Sequence, residues 1–393
     1  MDRPDDLRLP ATTAWLNDAK AQNLCRVLMQ EGHVYFVGGC VRDALLELDG
    51  SDVDLSTNVL PQEVMRLAKV VGFKAVPTGI DHGTVTVVVD GKGFEVTTFR
   101  RDVETDGRRA VVTFSKNMRE DARRRDFTLN ALYATPDGKV VDPLGTGIQD
   151  CLARRIRFIE DAGTRIREDY LRILRYFRFH ARFADPKDGF DAEALDAIAQ
   201  NAEGLERLSA ERVGGEIKKL LAAVDPAPAV AVMRQTGCLA RVLPGSDDQF
   251  LGPIVHSELQ LSAQPDPLLR LAGLSGDPHV VERLRLSKQE ARDLTALQEA
   301  GYGAAPLEEV AYRLGVRIAG GAAILRATLQ NTPVNSEDMS RIKRASGAVF
   351  PVKARDLMPR YVGKALGAKI TELEKRWIAS DFTLTHEDLL RGV

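Results

Sequence analysis

The stretch Tyr35-Phe-Val-Gly-Gly-Cys-Val-Arg-Asp43, followed by Ser51-Asp-Val-Asp-Leu55, constrains this chain more than any other. Its apolar run, Val34 to Val37, predicts a buried strand. Gly38-Gly39 then opens a helix carrying Val41, Ala44 and Leu45 on one face. A glycine pair at a strand-to-helix turn lets backbone N–H groups approach an anion with no Cβ in the way, and the helix N-terminus adds partial positive charge. Downstream, Asp52 and Asp54 sit two apart in a Val/Leu-rich segment. Read as a strand, that segment projects both carboxylates from one face. Adjacent acceptor-only carboxylates are costly unless a positive charge lies between them, and divalent magnesium is the usual answer. A dinucleotide-binding turn does not fit, because the Gly-x-Gly-x-x-Gly pattern and its downstream acid are missing.

At 393 residues the chain exceeds what one core usually serves, so more than one domain is expected. No apolar run approaches the length of a membrane span, and the start, Met1-Asp-Arg-Pro-Asp-Asp6, is too polar for a signal peptide. Cys25, Cys40, Cys151 and Cys238 are scattered without a Cys-x-x-Cys, which predicts buried thiols in a reducing cytoplasm. A net charge of −2 gives no overall push toward nucleic acid. Arginine is nevertheless concentrated between Arg119 and Arg182, and a local basic surface on a near-neutral protein suits selective RNA contact.

In chain order, residues 12–31 have helical apolar spacing, and Pro61 starts another helix with Thr57 or Asn58 as caps. Thr84 to Asp90, a Gly91-Lys-Gly93 turn and Phe94 to Arg100 predict a hairpin. Glu95 lies in it at alternating spacing with Thr97 and Phe99, on a strand that can neighbour the Asp52/Asp54 segment. Arg101 to Lys116 is polar and lacks clear periodicity, which reads as a mobile loop. In Glu120-Asp-Ala-Arg-Arg-Arg-Asp-Phe-Thr-Leu-Asn-Ala-Leu132, Arg125 and Asp126 precede a helix burying Phe127, Leu129 and Leu132, with Asn130 presented beside Asp126. A guanidinium matches phosphate oxygens bidentately and keeps its charge through turnover. Arg155 to Ile159 reads as a last strand. One long helix is expected from Ala162 to Phe183, with Asp169 and Arg172 on one face and Arg175 and Arg178 continuing by steps of three. Such a carboxylate–guanidinium pair can imitate a Watson–Crick edge and select a base.

These ordered motifs, Gly-Gly-x-Val-Arg-Asp, Asp-x-Asp, Arg-Arg-Asp-Phe-Thr-x-Asn-Ala and Glu-Asp-x-x-Arg, resemble the class II tRNA CCA-adding enzymes and bacterial poly(A) polymerases of the nucleotidyltransferase superfamily. The resemblance covers roughly residues 33–221. It implies an α+β fold: a mixed-sheet nucleotidyltransferase head (1–150), then an all-α neck (151–223) and helical body and tail (224–393). It implies successive transfer of two CMP and one AMP from CTP and ATP to a tRNA 3′ end. Asp52 and Asp54 would hold Mg2+, assisted by Glu95. Gly38, Gly39, Arg42 and Arg125 would hold the triphosphate, with Asp126 and Asn130 near the sugar. Asp169 and Arg172 would read the base, and Arg175 and Arg178 would add nucleotide contacts. The 104–109 segment resembles the flexible loop of full CCA-adding enzymes, and Glu211, Arg212 and Glu216 the positions that brace the neck.

Past residue 190 the chain is Ala/Leu/Arg/Glu-rich and reads as short helices. No His-Asp doublet with partner histidines accompanies them, which argues against an appended metal phosphohydrolase domain. Basic positions such as Arg341, Arg344, Arg355 and Lys369 are candidates for tRNA backbone contact. Three rivals share parts of the pattern: a poly(A) polymerase, a CC-only or A-only enzyme, and a non-catalytic RNA-binding protein on a dead head. The last would have lost a carboxylate, and Asp52, Asp54 and Glu95 are all present.

Overall fold

In the computed structural model, which describes residues 7–48, 50, 52–106 and 109–392, one mixed sheet organises the N-terminal part. Its strands are β1 (Val34–Val37), β2 (Asp54–Thr57), β3 (Lys74–Gly79), β4 (Thr84–Val89) and β5 (Lys92–Thr98). After β6 (Arg100–Asp106) and β7 (Arg109–Phe114), which pair with each other, come β8 (Tyr133–Ala134) and β9 (Val140–Val141). The sheet order is β3-β4-β5-β2-β1-β8-β9, and β2 runs parallel to β5 while β1 is antiparallel to β2 and β8. The alternation in Thr84-Val-Thr-Val-Val-Val89 buries Val85, Val87 and Val89. Helices α1 (Ala19–Leu28), α2 (Gly39–Leu45) and α3 (Pro61–Val70) belong to the same part, followed by α4 (Met118–Arg123) and α5 (Gly147–Leu152).

The described chain divides into two compact units, Met1–Ser209 with Gln235–Arg241, and Ala210–Arg234 with Val242–Val393. The first unit continues through α6 (Ala162–Glu168), α7 (Leu171–Phe183) and α8 (Ala192–Asn201). The apolar stripe of α7, Leu171, Leu174 and Phe177, is buried as its spacing predicts. Phe127 lies 5.0 Å from Phe158 and 5.1 Å from Phe179, ring centre to ring centre, which ties the segment after α4 to α7. Among its described residues the second unit has helices and turns and no strand. Within it the buried Arg270 pairs with the buried Glu258 at 2.7 Å and donates to Leu221 O at the end of α9 (Ala210–Leu221). A separate apolar cluster around Trp377 and Leu373 closes its C-terminal end. Among the described residues no helix is long and apolar enough to cross a membrane.

Several elements differ from their sequence reading. The first helix begins at Ala19, where Asp18 caps it, and residues before it form turns against Phe36 through Trp15. Neither Thr57 nor Asn58 caps α3; the Thr57 hydroxyl donates to His33 O, and Asn58 Oδ1 accepts from His33 N. The β4–β5 turn is Asp90-Gly91, with Lys92 and Gly93 already in the strand. Residues expected as a loop form two antiparallel strands, β6 and β7, paired from Arg100 with Phe114 to Asp106 with Arg109. Phe158 makes only an isolated bridge to Phe127, so Arg155 to Ile159 is not a strand. The long helix is two helices, broken at Asp169. Met1–Asp6, Ser51, Gly107 and Arg108, all used in the sequence reading, lie outside the described residues, as do the side chains of 102–111. All four cysteines are free and buried, and burial pushes the Cys25, Cys40 and Cys151 thiols up to about 12.

Candidate active site

Parallel pairing of β2 with β5 sets Asp54 directly opposite Glu95. Cross-strand neighbours in register stand close enough for two like charges to repel. Burial, Glu95 and Asp52 push the Asp54 carboxyl up, against the pull of Arg125, to about 6. Asp52 is exposed and precedes the first residue of β2, so the two-residue spacing is not a spacing along one strand. Among the described residues none of these three carboxylates has a protein hydrogen-bond donor or ion-pair partner. Nor do three His, Cys, Asp or Glu side chains form a ready metal cage there. An unneutralised all-oxygen donor set suits a hard divalent cation, which takes one or two protein carboxylates and completes its shell with water and substrate oxygens.

Gly38 turns β1 into α2 at a φ of 73°, and a Cβ there would meet the Arg125 guanidinium at 3.3 Å. Its N–H donates to Leu132 O, so of the pair only Gly39, first residue of α2, presents an N–H at a helix start. Arg125 is aimed by Asp121, a carboxylate absent from the sequence reading. Asp121 is fully buried and accepts from Tyr133 Oη at 2.7 Å, Arg124 Nε at 2.8 Å and Arg125 at 3.2 Å, with Ser56 Oγ of β2 at 3.4 Å. Burial opposes its charge, yet Arg125, Arg124 and the Tyr133 hydroxyl hold it down at about 2. The Arg125 Nε is buried without a partner, leaving donor capacity in the site. A sequence signal for Asp121 existed in its spacing of three and four residues from Arg124 and Arg125.

Asp126 and Asn130 come together as expected, but on a 3₁₀ turn (Thr128–Asn130) instead of an α-helix. Phe127, Leu129 and Leu132 are buried nonetheless. Asn130 Nδ2 donates to Asp126 at 3.0 Å and its Oδ1 accepts from Arg42 at 2.5 Å. Arg42 is 6 % exposed, paired with Asp43, and its guanidinium stacks 4.0 Å from the Phe183 ring centre. The second Asp126 oxygen accepts from Arg175 Nε at 2.7 Å. Despite burial, Arg175 and Asn130 hold the Asp126 carboxyl at about 2. Arg178 lies over Phe179 at 4.5 Å. Asp126, Asn130, Arg42 and Arg175 therefore form one hydrogen-bonded chain between α2 and α7.

At the helix break, Asp169 is extended (φ −154°, ψ 104°) and its side chain accepts from Leu171 N at 3.1 Å. Arg172 donates to Glu168 at 2.6 Å, to Arg165 O at 2.8 Å and to Arg124 O at 2.9 Å. Its carboxylate partner is thus Glu168 at the end of α6, across the break, in place of the anticipated Asp169. A guanidinium has five N–H donors, and three of those of Arg172 are used in these contacts. Arg165 also donates to Arg123 O at 2.8 Å, so this corner grips the backbone immediately before Arg125.

Residues 34–157 match the family described as poly A polymerase head domain, and 189–250 match the probable RNA and SrmB-binding site of polymerase A. The chain is 30% identical to the mitochondrial CCA tRNA nucleotidyltransferase 1 of Mus musculus over 388 residues, covering 94% of this chain and 88% of the relative. The chain belongs to the CCA tRNA nucleotidyltransferase family. A CCA-adding enzyme of Leuconostoc citreum is 42% identical over 54% of this chain and 51% of its own length. Among solved structures, the Bacillus stearothermophilus CCA-adding enzyme in complex with CTP superposes with a TM-score of 0.70 at 26% identity, covering 92% of this chain and 93% of that one. The Thermotoga maritima CCA-adding enzyme complexed with tRNA shares the fold, with a TM-score of 0.69 at 18% identity over 98% of both chains. The chain is accordingly an enzyme of the nucleotidyltransferase type, with the α+β fold that its motifs imply.

Proposed function

We propose that this nucleotidyltransferase adds C, C and A to the 3′ end of tRNA, using CTP and ATP and releasing pyrophosphate. The observation that carries the reading is Asp54 facing Glu95 across the β2–β5 pair, a like-charge pairing that the Arg125 charge offsets only in part. Asp52 and Asp54, supported by Glu95, are the residues that would hold a divalent metal, magnesium being the hard cation that such oxygens suit. When bound, it supplies charge neutralisation at the phosphates and lowers the pKa of an attacking hydroxyl. Arg125, aimed by Asp121, and the Gly39 N–H grip the triphosphate. Arg42, Asp126 and Asn130 shape the floor beside it, and Arg175 and Arg178 flank it from α7. Asp169 and Arg172 select the base.

Several of the C-terminal basic side chains assigned to tRNA contact have acidic neighbours: Arg344 pairs with Asp381 at 2.6 Å and Lys369 with Glu372 at 2.9 Å. Four buried free thiols support a reducing compartment, and we retain the cytoplasm as its site. The test is extension, at single-nucleotide resolution, of a tRNA transcript lacking CCA. Two cytidines with CTP alone and one further adenosine with both nucleotides are expected. A long adenosine ladder with ATP alone would make it a poly(A) polymerase.

A further inference from the structure

The corner between α6 and α7 interrupts the helical hydrogen-bond run and is bridged locally by the Asp169 carboxylate and the Arg172 guanidinium. Glu168 ends one helix, Asp169 is extended, and Tyr170 stands at the start of the next. Packing by Tyr170 adds a contact from a distant turn of the same unit. The Tyr170 ring lies on the backbone of Gly204, so closely that a Cβ at 204 would run into the ring. Gly204 and Arg207 belong to one 3₁₀ turn (Ala202–Arg207), anchored by the buried Ala202 and Leu205. Arg207 places its guanidinium 5.6 Å from the Tyr170 ring centre. Tyr170 is thus held between a glycine backbone and a stacked cation. Its carbonyl accepts from Ile173 N at 3.1 Å, and the neighbouring Asp169 carbonyl accepts from Arg172 N at 3.0 Å.

We propose that Tyr170, clamped by Gly204 and Arg207, is a positioning residue for nucleotide choice: it sets the angle at which Asp169 and Arg172 meet the incoming base. The inference rests on the assignment of those two residues as base readers. Recognition by two hydrogen-bonding groups is lost when their relative orientation slips by a fraction of an ångström, whereas Asp54 stands on β2 and Asp52 just before it. Gly204 is required because no other residue lets the ring reach the backbone.

The experiment measures kcat/KM for correct and incorrect nucleotides on a tRNA transcript ending in CC, for Tyr170→Phe, Tyr170→Ala, Gly204→Ala, Arg207→Gln and Asp169→Ala, each checked by thermal melting. Tyr170→Phe keeps the ring and is expected to keep the wild-type ratio. Tyr170→Ala and Gly204→Ala, which remove or displace it, are expected to lower the ratio of correct to incorrect addition by about tenfold, with a smaller loss in kcat for AMP. Arg207→Gln, at an exposed position, is expected to lower it about threefold. If Asp169→Ala loses selectivity while folded Tyr170→Ala or Gly204→Ala keeps it, the clamp is overturned. Should neither of those two fold, an unchanged ratio in Arg207→Gln overturns it. If Asp169→Ala itself keeps selectivity, it is the base-reader assignment that fails.

Discussion

Two sets of carboxylates in the first unit behave oppositely. Asp54 on β2, with Asp52 beside it and Glu95 across from it, has like charges for neighbours and is pushed up to about 6. Asp121 and Asp126 are also buried, but arginines and hydroxyl or amide donors surround them and hold them down at about 2. Burial acts in the same direction on all three, so the difference lies in the partners. One set is left negative where a cation is needed. The other is neutralised internally, and its function is to aim arginines.

The most severe way to break this contrast is Asp54→Asn. It should lower the rate of single-nucleotide addition by about a thousandfold or more, since a metal-holding charge is lost. The same change should not destabilise the fold. Because the folded carboxyl is raised, its charge costs folding free energy that appears above the unfolded value near 3.9 and is complete above about 6. Without added metal, Asp54→Asn should therefore raise stability at pH 7 by about 1–2 kcal/mol and change it little at pH 4. Chemical denaturation at the two pH values checks this.

Asp121→Asn should do the reverse and cost about 3 kcal/mol at pH 7, because Arg124 and Arg125 lose a buried counter-charge. The sign also inverts with pH. A depressed carboxyl contributes stability above its unfolded value and loses it as the pH falls from about 4 toward about 2, so the wild type should show an acid limb there that the variant lacks. An acid limb of equal size in both would remove Asp121 from the account. The smallest effect is expected from Tyr133→Phe, which deletes one donor to Asp121 and should cost about 1 kcal/mol, with a modest loss in nucleotide affinity through Arg125.

Much of the candidate site was legible along the chain because its parts are local. The Gly38 turn, the order of β1, α2 and β2, and the adjacency of Asp126 and Asn130 follow from short-range pattern. What escaped was set by partners far away in sequence. The break at Asp169 replaces a helix that spacing alone would continue, and it lies where Tyr170 packs on Gly204, more than thirty residues away in sequence. Asp121 was not singled out in the sequence, although its hydrogen bonds to Tyr133, Arg124 and Arg125 make it a fully buried anchor. The β6–β7 segment looked like a loop because it is charged and aperiodic, whereas its strands are held by backbone pairing between them.

The chain by itself determined which chemistry was present: an Asp-x-Asp pair, a third acid on a strand, a glycine turn and a set of arginines spaced along one helical segment. Local sterics and side-chain type are enough for that. Tertiary structure alone decided which carboxylate stays unneutralised and which becomes a brace. That outcome depends on strand register and on which guanidinium lies within hydrogen-bond reach, and electrostatic energy in a poorly solvated interior is set by those distances, not by sequence spacing.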